Sequence, residues 1–287
     1  MLRLALPNKG RLCSGILQLL DKIGLKIPQN GRKLFVNTSN PDIQIVYARA
    51  ADIPLYVQSG VADIGIVGED MIREKGAVVE NLLKLNFGGC KIAVAAPKNS
   101  KVTSPENYKN GLRVATKLVN IATEYFRSTG KLELVEIVPL SGAIELAPNL
   151  GIADVIVDQV ETGSTLSANN LEIIDTIFVS ELYLVANKQS LVSKFDQIDE
   201  IKVSMESVIT AEDKRYVMAN VKSIEVLKKV ISSASSLESP TVLNLAKDGE
   251  YAVHTVVESS ELIPTIRKMK QAGATGILVM NMSRVVQ

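Results

Sequence analysis

Two short stretches of the chain repeat one another. Gly60-Val61-Ala62-Asp63-Ile64-Gly65-Ile66-Val67 returns as Gly151-Ile152-Ala153-Asp154-Val155-Ile156-Val157. Each is a glycine turn, a small residue, an aspartate and then an apolar run. A single copy is no more than an ordinary α/β turn. Two copies, each followed by a polar loop and a new helical stretch, predict two lobes of similar build. Ligands in such folds sit at the carboxyl ends of strands, so a ligand between the lobes would face both loops.

The pattern around the repeat is strand alternating with helix. Residues 2–6 read as a strand. Leu12, Ile16, Leu19, Leu20 and Ile23 then recur at helical spacing, with Gly24 as a stop. Further strands are expected at 34–36, 43–48, 63–67, 91–97, 112–116 and 134–138, and a returning strand at 177–186. Asp52 and Pro54 open a helix, 121–127 form another, and 191–208 form one amphipathic helix. This predicts an α/β fold with largely parallel sheets. Residues 1–90 with 178–211 are expected to form the first lobe, and 91–177 the second. The charged run Glu212-Asp213-Lys214-Arg215 marks a boundary. After it, in 212–287, the order is strand 216–221, helix 224–231, a hairpin of 240–245 and 251–257, helix 262–269 and strand 276–280. That is βαββαβ, the ferredoxin-like unit.

Composition removes several classes of function. At 287 residues and 46% apolar, the chain can build two or three cores. Its 32 basic and 31 acidic residues leave a net charge of +1, unlike a general nucleic-acid binder. Cys13 and Cys90 form neither a disulfide framework nor a zinc cluster, and each is expected to be packing. The single histidine, His254, leaves little room for imidazole catalysis. No signal peptide or membrane span is apparent, so a cytoplasmic protein without membrane partners is expected.

The densest segment is Asp158-Gln159-Val160-Glu161-Thr162-Gly163-Ser164-Thr165, at the end of an apolar strand. Gly163 allows a tight turn and a close approach. Turn amides, with the hydroxyls of Thr162, Ser164 and Thr165, suit a phosphate. Asp158 and Glu161 suit vicinal ribose hydroxyls or a magnesium ion. Ser/Thr capping of an ordinary helix would explain the hydroxyls alone. With both acids and the repeat, a phosphoribosyl site fits better. No Walker-type Gly-Lys-Thr and no Gly-x-Gly-x-x-Gly follow the first strand, which disfavours kinase and dinucleotide readings.

This segment resembles the phosphoribosyl-pyrophosphate loop of the ATP phosphoribosyltransferases, and the resemblance covers essentially the whole chain. LALPNKGRL, RKLF, ARAADIP, SGVADIGIVGED, LNFGGC, LSGAIELAP and GIADVIVDQVETGSTLSANNL follow in the family's order, then SPTVLNL and AGATGILV in its carboxyl-terminal domain. That last domain resembles the long form. The resemblance implies transfer of phosphoribose from phosphoribosyl pyrophosphate to N1 of ATP, with pyrophosphate released, as the first step of histidine biosynthesis. It implies Mg2+ carried mainly on substrate phosphates, with no assigned protein ligand. The implied architecture is a bilobal body like type II periplasmic binding proteins, with histidine as feedback inhibitor and a homo-oligomer, a hexamer or a dimer.

By the same resemblance, Lys9, Gly10, Arg11 and Asp70 meet ATP, and Arg32 and Arg49 are catalytic cations for the departing pyrophosphate. Glu145, Asp158, Glu161, Thr162, Gly163, Ser164 and Thr165 hold phosphoribosyl pyrophosphate. Leu237, Thr241, Val256 and Gly276 line an inhibitor pocket, although core packing explains those four nearly as well. The chain departs from the family pattern at Lys117-Leu118-Val119, at Ala143 and at Glu161. Two other readings remain open: a bilobal ligand sensor without catalysis, and the same transfer to another base.

Overall fold

The computed structural model describes residues 1–10, 12–28, 34–233 and 239–286. It divides into two compact units, Met1–Lys202 and Val203–Gln287. In the first unit the elements are β1 (Leu2–Pro7), α1 (Leu12–Lys22), β2 (Phe35–Asn37), β3 (Ile43–Ala48), α2 (Ile53–Gln58), β4 (Ile64–Gly68), α3 (Glu69–Lys75) and β5 (Glu80–Pro97). Then come β6 (Leu112–Thr116), α4 (Val119–Ser128), β7 (Val135–Pro139), β8 (Val155–Val160), α5 (Ser164–Ala168), β9 (Leu171–Ala186) and α6 (Lys188–Ser193). Helix α7 (Phe195–Glu212) contains the division at Val203, whereas the sequence pattern put the boundary at 211/212.

The strands form one mixed sheet in the order β2-β3-β1-β4-β9-β5-β8-β6-β7. Parallel pairs β1–β3 and β1–β4 build one lobe, and β6–β7 and β6–β8 the other. Their strands are apolar on both faces, as buried parallel strands must be: Ile64, Ile66, Val155, Ile156 and Val157 are all inaccessible to solvent. Strands β5 and β9 run antiparallel through both lobes. At 18 and 16 residues they are far longer than the usual ~5–6. Their register breaks between Leu85 and Cys90, where Gly88 takes φ +75°. The strand expected at 91–97 is therefore the second half of a longer one. The helix expected at 191–208 is two helices parted at Lys194. Asn187 caps α6 by accepting from the amides of Gln189 and Ser190, and Lys194 turns its ammonium to Asp63.

The repeat has a structural explanation. Asp63 N–H donates to Arg3 C=O, and its carboxylate accepts from Arg3 N–H. Asp154 does the same with Arg113. Each aspartate thus ties the start of its own strand to the start of the neighbouring parallel strand. Gly60 (φ +75°) and Gly151 (φ +68°) make the turns before them, and Ala62 and Ala153 are buried between. These aspartates are architectural.

The second unit contains β10 (Lys214–Val221), α8 (Ile224–Ser233), β11 (Thr241–Asn244), β12 (Tyr251–Glu258), α9 (Leu262–Gln271) and β13 (Thr275–Asn281), the expected βαββαβ. Its antiparallel sheet has the order β11-β12-β10-β13. Val217, Ala219, Val221, Val253 and Val257 pack with Leu227, Val230 and Met269 of the helices. Strand alternation sends Tyr216, Met218 and His254 to the opposite face.

Candidate functional site

Two cavities adjoin in the first unit. The smaller, about 260 Å3, is lined by Glu145, Asp158 and the turn from Glu161 to Thr165. Strand β8 delivers Asp158 and stops at Val160. Gly163, at φ +77°, turns the chain into α5, and the residues on either side of it line the cavity. Thr162 Oγ1 and Ser164 Oγ lie 3.0 Å apart, so the two hydroxyls share one hydrogen bond and are oriented together. Glu145 comes from a short helical turn that starts after Ala143, whose φ of +50° is unusual for a residue with a side chain. All seven residues expected to hold the phosphorylated sugar line this one cavity.

The larger cavity, about 380 Å3, receives Lys9 and Gly10 from the turn after β1, Ala50 and Ala51 from the turn after β3, and Asp70 and Glu74 from α3. Cys90 and Gln159 line both cavities, so they mark the seam between them. Asp70 is 3% exposed and fully engaged. Its carboxylate accepts from Ser180 Oγ at 2.8 Å and from Gln159 Nε2. The Ser180 hydroxyl oxygen in turn accepts from Asp70 N–H. A strand of one lobe, a helix of the other and the long strand β9 are thereby joined at the cavity wall.

Glu74 makes a second join. Helix α4 begins at Val119, and Leu118 before it supplies no side-chain cap. The Glu74 carboxylate accepts from the backbone N–H groups of Asn120 and Ile121, while Asn120 Nδ2 donates to Glu74 C=O. A helix of one lobe caps a helix of the other. Neither Gln159, Ser180 nor Glu74 was expected from the sequence, because their partners lie far away along the chain. The only local signal was polar Gln159 inside an otherwise apolar strand end.

Other expected residues fall elsewhere. Arg49 is exposed and lines neither cavity, although its neighbours Ala50 and Ala51 do. Arg11, Arg32 and Leu237 lie outside the described residues. The Thr116 hydroxyl is buried and committed, donating to Val157 C=O and accepting from Leu118 N–H. Cys90 is packed at the seam, and the Cys13 thiol donates to Pro7 C=O, with burial pushing its pKa up. Thr241, Val256 and Gly276 share by alternation the face of the second unit's sheet that its helices leave open. His254 lies on the same face, and its Nδ1 is 2.6 Å from Tyr216 Oη. Among the described residues no group of three or more His, Cys, Asp or Glu side chains is placed to hold a metal. No helix among them is long and apolar enough to cross a membrane.

Comparison with known proteins gives a consistent result. The family model for HisG, ATP phosphoribosyltransferase, matches residues 49–207. The model for the HisG C-terminal domain matches 211–284. ATP phosphoribosyltransferases of Methanosarcina barkeri and Methanocaldococcus jannaschii are 42% and 41% identical, over the full length of both chains in each case. Among solved structures, the ATP phosphoribosyl transferase (HisG:HisZ) complex from Thermotoga maritima contains a chain with 34% identity and a TM-score of 0.64. The match covers 73% of this chain and 98% of that one.

Proposed function

The chain belongs to the ATP phosphoribosyltransferase family, whose reaction opens histidine biosynthesis, and we propose that its two adjoining cavities are the two substrate sites. The observation that carries this reading is the sorting of side chains. The hydroxyls and acids expected to meet phosphoribosyl pyrophosphate line one cavity, and Lys9, Gly10 and Asp70 line the other. The 5-phosphate then sits in the 162–165 turn, held by backbone amides and by Thr162, Ser164 and Thr165. Asp158, Glu145 and Glu161 face the ribose. Adenine enters the larger cavity, beside Pro7, Leu12, Met71 and Leu118.

The reacting atoms meet at the seam of Cys90 and Gln159. Adenine N1 attacks C1′ of the ribose as the bond from C1′ to the pyrophosphate oxygen breaks. N1 is already a nucleophile, so the site needs no strong base. It must position two polyanions and stabilise the leaving group. Magnesium, when bound, would neutralise charge on the departing pyrophosphate. The residues present fit an ion that keeps most of its ligands on substrate phosphates and water and takes one or two carboxylates from Glu145, Asp158 and Glu161. Arg11, Arg32 and Arg49 remain proposed as further cations for the phosphates of the two substrates. The sheet face carrying Thr241, Val256 and Gly276 is proposed as the place where histidine acts as inhibitor, in a homo-oligomer such as a hexamer. Both substrates are cytoplasmic metabolites, which favours a cytoplasmic enzyme.

Substituting Thr162→Ala and Thr165→Ala removes two proposed phosphate donors whose hydrogen bonds are all local to the turn and α5. We expect each to weaken phosphoribosyl-pyrophosphate binding about tenfold or more with the melting temperature unchanged. Titration calorimetry reads this directly, and unaltered binding in both variants would refute the assignment of the turn.

A further inference from the structure

The two cavities are charged differently. Among the described residues, the basic side chains lining the larger are Lys9, Lys75 and Lys117. The charged side chains lining the smaller are Glu145, Asp158 and Glu161, all acidic. Lys117 joins the two. It lines the larger cavity, and its Nζ lies 3.2 Å from Oδ1 of Asp158, a residue that lines the smaller.

That contact is incomplete on the acid's side. Asp158 Oδ1 is shielded from solvent yet accepts no hydrogen bond, so the ammonium supplies charge at ion-pair distance without hydrogen-bond direction. A buried acceptor without a donor is unfavourable, and its best remaining partner is a donor brought by a ligand. Lys117 is free to leave. Its side chain is 37% exposed and ends in a compact charge on a flexible stem. It stands at the turn into α4.

We propose that Lys117 is a displaceable counter-ion that becomes a phosphate-binding residue. In the empty site it neutralises Asp158. When the ribosyl donor enters, a ribose hydroxyl donates to Asp158 Oδ1, and the released ammonium turns to the donor's diphosphate at the seam. One event thus satisfies the orphaned oxygen and brings a cation to the leaving group. This rests on the reading of the smaller cavity as the phosphoribosyl site.

Phosphoribosyl pyrophosphate without ATP, and inorganic pyrophosphate, which lacks the ribose, are the probes, titrated calorimetrically into wild type, Lys117→Met, Lys117→Arg and Asp158→Asn, each checked by thermal melting. Lys117→Met should weaken phosphoribosyl-pyrophosphate binding about tenfold or more, and Lys117→Arg should restore it to within about threefold. Asp158→Asn should bind pyrophosphate as tightly as wild type or more tightly, because its lysine is already released. In turnover, Lys117→Met should raise KM for phosphoribosyl pyrophosphate more than it lowers kcat. Unchanged phosphoribosyl-pyrophosphate binding in Lys117→Met would overturn the proposal while wild-type turnover leaves the assignment of the cavities standing. So would inorganic pyrophosphate binding that is weaker in Asp158→Asn than in wild type, which a merely structural pair predicts. A wild type that neither binds pyrophosphate nor forms product overturns the assignment and the proposal together.

Discussion

Asp63 and Asp154 occupy matching places in the repeat but differ in burial, and that difference sets what each is worth. Asp63 is 5% exposed and holds Lys194 Nζ at 2.8 Å, Ser190 Oγ at 2.6 Å and Arg3 N–H. Asp154 shares an ion pair with Arg113 in which both side chains are nearly 40% exposed. Asp63→Asn should cost about 2–3 kcal/mol of unfolding free energy, since it leaves a partly buried ammonium unpaired. Asp154→Asn should cost clearly less. Burial raises the Asp63 pKa, but its bonds to Lys194, Ser190 and Arg3 outweigh it, and the net shift is downward. Arg113 lowers that of Asp154. A carboxyl depressed in the folded state stabilises above its unfolded pKa, and that stability is lost as pH falls through about 4 toward the folded value. Denaturant unfolding across that range should therefore be flatter in Asp63→Asn than in wild type. A parallel curve would show that Asp63 does not carry the acid limb. At the same scale the turn from Glu161 to Thr165 was legible as a turn, because Gly163 and the hydroxyls beside it lie within a few residues of one another. The sequence could not reveal that Asp70 is enclosed by Ser180 and Gln159, or that Lys117 reaches Asp158, since those pairs form only when distant strands meet.

The secondary-structure elements were legible where the apolar period was uninterrupted. Strand β3 and the strand–helix order of the second unit follow directly from the pattern. Strands β5 and β9 were not, because each crosses from one lobe to the other and its residues change environment midway. In β5 the half before the break carries Glu80, Asn81 and Lys84, and the half after it runs Ile92 to Ala96, buried throughout. One strand therefore reads as a polar loop followed by a short strand. The cap of α4 is illegible for a related reason, since Glu74 supplies it from another helix. Glu74→Ala should leave the Asn120 and Ile121 amides without an acceptor and lower stability by about 1–2 kcal/mol in denaturant unfolding. Glu74→Gln, which keeps one oxygen, should lose less. Equal stability of the alanine variant and wild type would mean that the cap contributes nothing to holding α4.

Across the first unit the near-zero net charge of the chain is unevenly spread over the two cavities, since among the described residues the larger has three lysines beside Asp70 and Glu74 and the smaller has acids alone. Lys9, Lys75 and Lys117 line the cavity read as the nucleotide site, and the acids of the smaller cavity surround the place read for the sugar. The single histidine is in the second unit, on β12 against Tyr216, and lines neither cavity. Relatives that match end to end carry both units, whereas the Thermotoga maritima chain matches 73% of this one. The residues that line both cavities all lie in the first unit. The central claim is that the adjoining cavities bring ATP and phosphoribosyl pyrophosphate together for transfer. Its most direct measurement is steady-state product formation by the purified full chain with magnesium, followed by absorbance and by pyrophosphate release. Product and pyrophosphate should appear in equal amounts, only when both substrates are present, and should fall sharply in Thr162→Ala. Folded wild-type protein that stays silent with both substrates would contradict it.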